Sequence, residues 1–144
     1  MPPNLMVAEP PARWLERPAA VLDCSVAVAA YFEEDNAIEA TAALLGYALH
    51  APALLSFEFA NVARSKSRAG ASTEAVARAM QTFHESRVEL HPQPPEALHA
   101  LALAENLSAY DAAYLALALR LNARLLTYDL RLSAVAERLL GAAD

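Results

Sequence analysis

Leu107-Ser108-Ala109-Tyr110-Asp111, then an almost uncharged apolar run, then Leu125-Leu126-Thr127-Tyr128-Asp129 is the stretch whose reading settles the fold class. Ser108 with an acid three residues on is a capping-box pattern, in which a hydroxyl satisfies the first orphan N–H groups of a helix. Leu115, Leu117, Leu119 and Leu121 alternate as a strand would. The cap, the length and the alanines at intervening sites, which are poor in strands, favour a helix that ends at Asn122. Leu125-Leu126-Thr127 then reads as a short buried strand. The stretch therefore carries one carboxylate at the start of a helix, Asp111, and another just past a strand, Asp129.

Working outward, the same alternation recurs upstream. Ala19-Ala20-Val21-Leu22 is an apolar run closed by Asp23, suited to a strand buried on both faces. Ser25 opens a helix through Val26, Val28 and Phe32, and Glu33, Glu34 and Asp35 break it. Asn36 with Glu39 predicts a capping box and a helix to about Leu49, with Ile38, Leu44, Leu45 and Leu49 in its apolar stripe. Pro52-Ala53-Leu54-Leu55 is expected as the second strand, with Ser56 capping a helix that carries Glu58 in its first turn and Asn61 on the same face. Gly70 ends that helix, and Ser72 caps another through Val76, Met80 and Phe83. Val88-Glu89-Leu90 is a third strand, and Pro95 suits the first position of a helix over about residues 95–105. A final helix spans Leu130 to Leu140.

Strands alternating with helices predict an α/β domain: a central parallel sheet of four short strands, or five, flanked by helices. In such sheets ligands bind beyond the carboxyl ends of the strands, where strand order reverses. If the first and fourth strands are neighbours at the reversal, Asp23 and Asp129 converge there.

The 144 residues fit one domain with a real core, and 56% apolar against 19% charged is globular composition. Prolines at 2, 3, 10, 11 and 18 set residues 1–18 apart as an extension, read as a loosely docked tail before one anchored by Trp14, and leave 19–144 as the domain. No apolar run is long enough to cross a bilayer and the start has no signal-like pattern, so a soluble cytoplasmic protein is expected. Cys24 is the only cysteine, which excludes an internal disulfide and a thiolate zinc site. It reads as a small buried side chain. The histidines, His50, His84, His91 and His99, show no helical metal-binding pair and read as surface or strand-end residues. A net charge of −6 argues against a general nucleic-acid coat, and leaves room for an enzyme that brings its own cation to a phosphate.

At this point the residues resemble a known family. Val21-Leu22-Asp23-Cys24-Ser25-Val26-Ala27-Val28 resembles the opening motif of PIN-domain nucleases, and Pro52-Ala53-Leu54-Leu55-Ser56-Phe57-Glu58-Phe59-Ala60-Asn61-Val62 their second. Tyr110-Asp111-Ala112-Ala113-Tyr114-Leu115-Ala116-Leu117-Ala118 and Leu126-Thr127-Tyr128-Asp129 are similar to the third and fourth. The match covers about residues 19–140 in order, and the subgroup it resembles is the VapC-type toxins of bacterial toxin–antitoxin pairs. The resemblance implies a single PIN-like domain and a magnesium- or manganese-dependent endoribonuclease. Asp23, Glu58, Asp111 and Asp129 would be the acidic quartet that binds metal, and Ser25, Asn61 and Thr127 its polar support. It further implies an RNA substrate, a small antitoxin that obstructs the acidic pocket, and a homodimer.

Physical chemistry is consistent with that reading. Magnesium takes carboxylate and water oxygens in an octahedral shell, usually with only one or two direct carboxylates. Bound metal lowers the pKa of a water and stabilises charge on a phosphate in flight. Each acid also has a structural reading: Asp111 as a helix cap worth about 1 kcal/mol, Asp23 and Asp129 as turn residues after strands, and Glu58 as a complement to a helix N-terminus. Those readings weaken when all four fall at element ends that one sheet can gather. For Ser25 and Thr127 cap or strand roles stand level with a metal role. Arg64, Lys66 and Arg68 read first as cations favouring a helix C-terminus and only second as grips for RNA phosphate. Arg131, just past Asp129, is better placed for substrate. Tyr110 and Tyr114 suit helix packing before base stacking. Two other functions compete. A magnesium-dependent phosphohydrolase for small molecules would want a phosphate-gripping lysine, yet Lys66, the only one, lies far from any strand end. An inactive interaction module of the same fold sits poorly with a complete quartet.

Overall fold

The computed structural model describes residues 17–142 together with Met6. The expected extension and its Trp14 anchor therefore lie almost wholly outside the described residues. The order is β1 (Ala19–Leu22), α1 (Cys24–Tyr31), α2 (Ala37–Leu45), β2 (Ala48–Pro52), α3 (Leu54–Arg68), α4 (Thr73–Glu85), β3 (Glu89–His91), α5 (Pro95–Glu105), α6 (Ala109–Leu121), β4 (Arg124–Leu126) and α7 (Leu130–Ala142). No described helix is long and apolar enough to cross a membrane.

The strands form one four-stranded sheet in the order β3-β2-β1-β4. Every pairing is parallel, with Val21 opposite His50 on one side and Leu125 on the other. The chain builds outward through β2 and β3, then returns across the sheet to lay β4 on the far side of β1. The reversal between β1 and β4 is the switch point at which open parallel sheets bind ligands. The α/β expectation holds, with four strands among the described residues.

Central β1 is apolar because it is covered on both faces. Successive strand residues point to opposite faces. Leu22 packs with Val26, Leu44, Leu55 and Phe59 in one core, while Val21 packs with Tyr114, Leu115, Leu117 and Leu132 in the other. Helices α1 to α4 cover the first face and α6 and α7 the second. Helix α6 lies against β1, β2 and β4 and between α5 and α7. It is therefore buried almost all round, from Ala112 through Leu115 and at Leu117 and Ala118. That burial explains why its leucines show no helical stripe.

Several local expectations hold. Ser72 accepts from the Ala75 N–H at 3.1 Å and Ser108 from the Asp111 N–H at 3.0 Å. Asn122 ends α6 in the left-handed region at φ 46°, and Gly70, at φ +99°, follows α3 with a backbone that other residues rarely adopt. Others are corrected. Asn36 makes no side-chain cap, so the capping box with Glu39 does not form. Helix α2 stops at Leu45, and Leu49 belongs to β2. Ile38 and Leu45 are 88% and 68% exposed, while Ala40 and Leu44 supply the buried face. The second strand is Ala48–Pro52, not 52–55; helix α3 starts at Leu54 behind an Ala53 cap, so Ser56 caps nothing. Its first turn holds no acid, and Glu58 falls in the second.

Candidate active site

Asp23 is the N-cap of α1 and stands at the end of β1, where its N–H donates to the Leu126 carbonyl at 3.0 Å. It is the one buried charged residue among those described. Its carboxylate is held by hydroxyls: Ser25 Oγ at 2.8 Å and Thr127 Oγ1 at 2.7 Å both donate to Oδ2. The same hydroxyls also accept, Ser25 from the Tyr128 N–H at 3.1 Å and Thr127 from the Asp129 N–H at 3.0 Å. The loop after β4 is thereby laced to the loop after β1. Asp129 is exposed and opens α7, its Oδ1 accepting from the Leu132 N–H at 3.0 Å.

Glu58 and Asp111 reach the same place from the helices. Glu58 lies one turn after the buried Leu55 and beside Phe59, so the packing of α3 fixes its direction. Tyr114 Oη donates to Glu58 Oε1 at 2.6 Å. Burial raises the Glu58 carboxyl above the usual carboxylate range; Tyr114 pulls it down, and Asp23 and Asp111 push it up. Burial also raises Asp111, with Asp129 and Asp23 adding to it and Ser108 and Arg131 opposing. Glu58 therefore lies within electrostatic reach of Asp23 and Asp111, and Asp111 within reach of Asp23 and Asp129. The structure thus brings Asp23, Glu58, Asp111 and Asp129 into one electrostatic neighbourhood, with Ser25 and Thr127 bonded to Asp23. It does not do so with Asn61, which is exposed and whose side chain bonds none of the acids.

The donor set fits a hard divalent cation. None of the four acids is in an ion pair among the described residues, and the side-chain donors to Asp23 and Glu58 are neutral hydroxyls. Arg131 offsets part of the charge at Asp111, and the rest is left for something other than the chain to balance. No three of these carboxylates close to within 4.8 Å of one another, spacing that suits an ion held partly through its own waters.

Tyr114 is the site residue that sequence reasoning missed. It was read as packing, and it is fully packed, yet its hydroxyl orients Glu58. Its place three residues after Asp111, on the same helical face, was the available signal. Lys66 is engaged elsewhere, bonded to Glu34 at 2.8 Å and lying 5.1 Å over the Phe32 ring. Arg131 donates to the Asn106 carbonyl. Tyr110 is exposed.

A parallel α/β sheet with acids gathered at its switch point defines a class, and residues 20–138 match the family model of the PIN domain: the chain belongs to the PIN domain family. Within that family it is similar to two curated ribonucleases, VapC ribonuclease Mb0985 of Mycobacterium bovis and ribonuclease VapC9 of Mycobacterium tuberculosis. Each is 39% identical over 116 residues, covering 78% of this chain and 87% of theirs. The crystal structure of PAE2754 from Pyrobaculum aerophilum covers 89% of this chain and 92% of its own at a TM-score of 0.65; with 23% identity, that likeness bears on the fold. Nucleases of the family generally use a divalent metal.

Proposed function

We propose that this chain is a divalent-metal-dependent endoribonuclease cleaving RNA phosphodiester bonds, the toxin of a toxin–antitoxin pair, with Asp23, Glu58, Asp111 and Asp129 as its metal-binding and catalytic acids. One observation carries the reading: four carboxylates at the sheet's switch point, none in an ion pair among the described residues and with Arg131 alone acting on one of them, in a chain 39% identical to ribonucleases over most of its length.

Magnesium or manganese bound there would supply a water of lowered pKa and positive charge for the phosphate oxygens. The chain's own part is orientation. Ser25 and Thr127 keep one oxygen of Asp23 occupied and so aim the other. Tyr114 does the same for Glu58. Asp111 and Asp129 open two rigid helices, α6 and α7, so their separation is set by elements rather than loops. Asn61 is kept as polar support of the outer rim, one turn from Glu58, and Arg131 as the nearest cation for substrate phosphate.

Residues 19–144 are the nuclease domain and 1–18 an extension of it. A homodimer, a small cognate antitoxin lying over the acids, and a cytoplasmic setting in which cleavage inhibits translation complete the proposal. A small-molecule phosphohydrolase loses its gripping lysine, since Lys66 is paired with Glu34.

The test is to incubate purified, antitoxin-free protein with total RNA and magnesium, manganese or chelator. Discrete metal-dependent fragments, absent for Asp23→Asn, are expected. Hydrolysis of a small phosphoester with RNA left intact, or full activity in Asp23→Asn, would overturn the proposal.

A further inference from the structure

A second cluster of ligating side chains sits away from the acids, on the outer side of the sheet. His50 is the middle residue of β2, and Glu89 and His91 are the first and last of β3. The parallel register sets His50 opposite Glu89, and alternation puts Glu89 and His91 on the same face. His50 Nδ1 lies 2.9 Å from His91 Nε2 and 3.5 Å from Glu89 Oε2, and His91 Nε2 lies 3.9 Å from Glu89 Oε1. The histidines are 17% and 15% exposed and the glutamate 67%.

We infer that His50, Glu89 and His91 form a binding site for a zinc-like transition-metal ion, separate from the acidic pocket. A tetrahedral ion with bonds of about 2.0–2.1 Å spaces its ligand atoms about 3.3 Å apart. The separations here, 2.9 Å between the ring nitrogens and 3.5 and 3.9 Å to the two Glu89 oxygens, straddle that value, so a small rotation of the exposed Glu89 carboxylate closes the set. Two imidazoles and one carboxylate leave a fourth position for water, and the exposed glutamate marks the side from which ion and water enter. The ligand chemistry also separates the two sites: imidazole suits zinc and its neighbours, whereas a purely carboxylate pocket suits magnesium or manganese. So does position. Arg120, which touches His91, follows Asp111 by nine residues on α6, roughly 13 Å along the helix axis.

Arg120 sets the terms of loading. Its guanidinium lies 3.0 Å from His91 Nδ1. A guanidinium only donates, so Nδ1 must accept and the proton of neutral His91 sits on Nε2, pointing at His50 Nδ1. The ion takes the place of that hydrogen bond. The proton moves to Nδ1, and Arg120, an exposed side chain in the last turn of α6, swings off. Burial first, with His50 and Arg120 behind it, lowers His91 below the usual histidine range against the pull of Glu89, which keeps the ring neutral for a metal.

The experiment uses untagged full-length protein carrying Asp23→Asn and Asp129→Asn, which removes two of the four acids of the pocket, titrated with Zn2+ by calorimetry and with Co2+ by visible absorption, in excess Mg2+. One ion per chain with a tetrahedral cobalt spectrum is expected. Glu89→Gln, at an exposed position where folding is not at stake, and His50→Gln should weaken binding by at least the roughly 10- to 100-fold that even a ligand's supporting partner is worth. Arg120→Met, freeing His91 Nδ1 to carry the proton, should tighten it. Absence of Zn2+ binding in this background, or binding unchanged by Glu89→Gln and His50→Gln, would overturn the inference.

Discussion

Thr127 is 104 residues from Asp23 in the chain, yet its hydroxyl is one of two that hold the Asp23 carboxylate. At the scale of single residues the site is a set of neutral donors steering charged acceptors, and this makes its substitutions specific. Tyr114→Phe removes the donor to Glu58 while keeping the packed ring. It should cost roughly 1.5 kcal/mol in urea unfolding, the order expected for a hydrogen bond to a charged group, and raise the metal concentration needed for half-maximal cleavage; an unchanged metal requirement would show that Tyr114 only packs. Cys24, whose thiol is pushed up to about 12 by burial and then by Glu58 and Asp23, stays protonated, so Cys24→Ala should cleave RNA normally and the wild-type thiol should alkylate slowly. Glu58 and Asp111 are raised in the folded chain, so it holds their protons more tightly than the unfolded chain does. Their contribution to metal-free stability should therefore be fullest below the ordinary carboxylate range and fall as pH climbs from the unfolded values through the raised folded ones. Asp111→Asn should flatten that fall and be at least as stable as wild type at neutral pH, as read by urea unfolding across pH. Asp23, Asp111 and Asp129 were legible in the sequence because each closes or opens an element; Glu58, in the second turn of α3, was legible only through the motif it sits in. Tyr114 was not, because a tyrosine on a buried helix satisfies the packing pattern whatever its hydroxyl touches. The pairing of His50 with His91 was invisible because it depends on the register between β2 and β3, which no local pattern encodes.

Elements were readable where side-chain chemistry at their ends is local. Ser72, Ser108, Pro95 and Asn122 each mark a boundary through a bond or a backbone angle made within a few residues, and each boundary is where it was expected. Ser108→Ala should lower stability by about 1 kcal/mol through loss of the cap on α6, measurable as a shifted unfolding midpoint with unchanged slope. An unchanged midpoint would mean that burial alone fixes this helix start. Boundaries failed where tertiary contact overrides the local signal. The Asn36–Glu39 pattern is present, but Asn36 makes no cap bond. Around β2, the apolar run was assigned to the strand at 52–55, whereas the sheet takes Ala48–Pro52 because Ala48 and Leu49 pair with Ala19 and Ala20. Leu54 and Leu55 were then free to begin α3, which moves Glu58 from the first turn to the second without moving it from the pocket.

For the whole molecule, topology makes the site. The order β3-β2-β1-β4 puts the ends of β1 and β4 side by side, so loops distant in sequence meet, while α3 and α6, both packed against the sheet, deliver Glu58 and Asp111. The fold class followed from the alternation of strands and helices; the placing of β4 beside β1, which alternation leaves open, and the hydroxyl lacing between Asp23, Ser25 and Thr127 required coordinates. If, as proposed, the four acids jointly hold a hard divalent ion, the protein takes one up in solution and loses it with those acids. Manganese measures it directly, because free Mn2+ gives an electron paramagnetic resonance signal that falls as the ion binds. Titrating Mn2+ against wild-type protein, the His50→Gln variant and the Asp23→Asn, Asp129→Asn double variant should show uptake by the first two and little by the third. Equal uptake by all three would contradict the account.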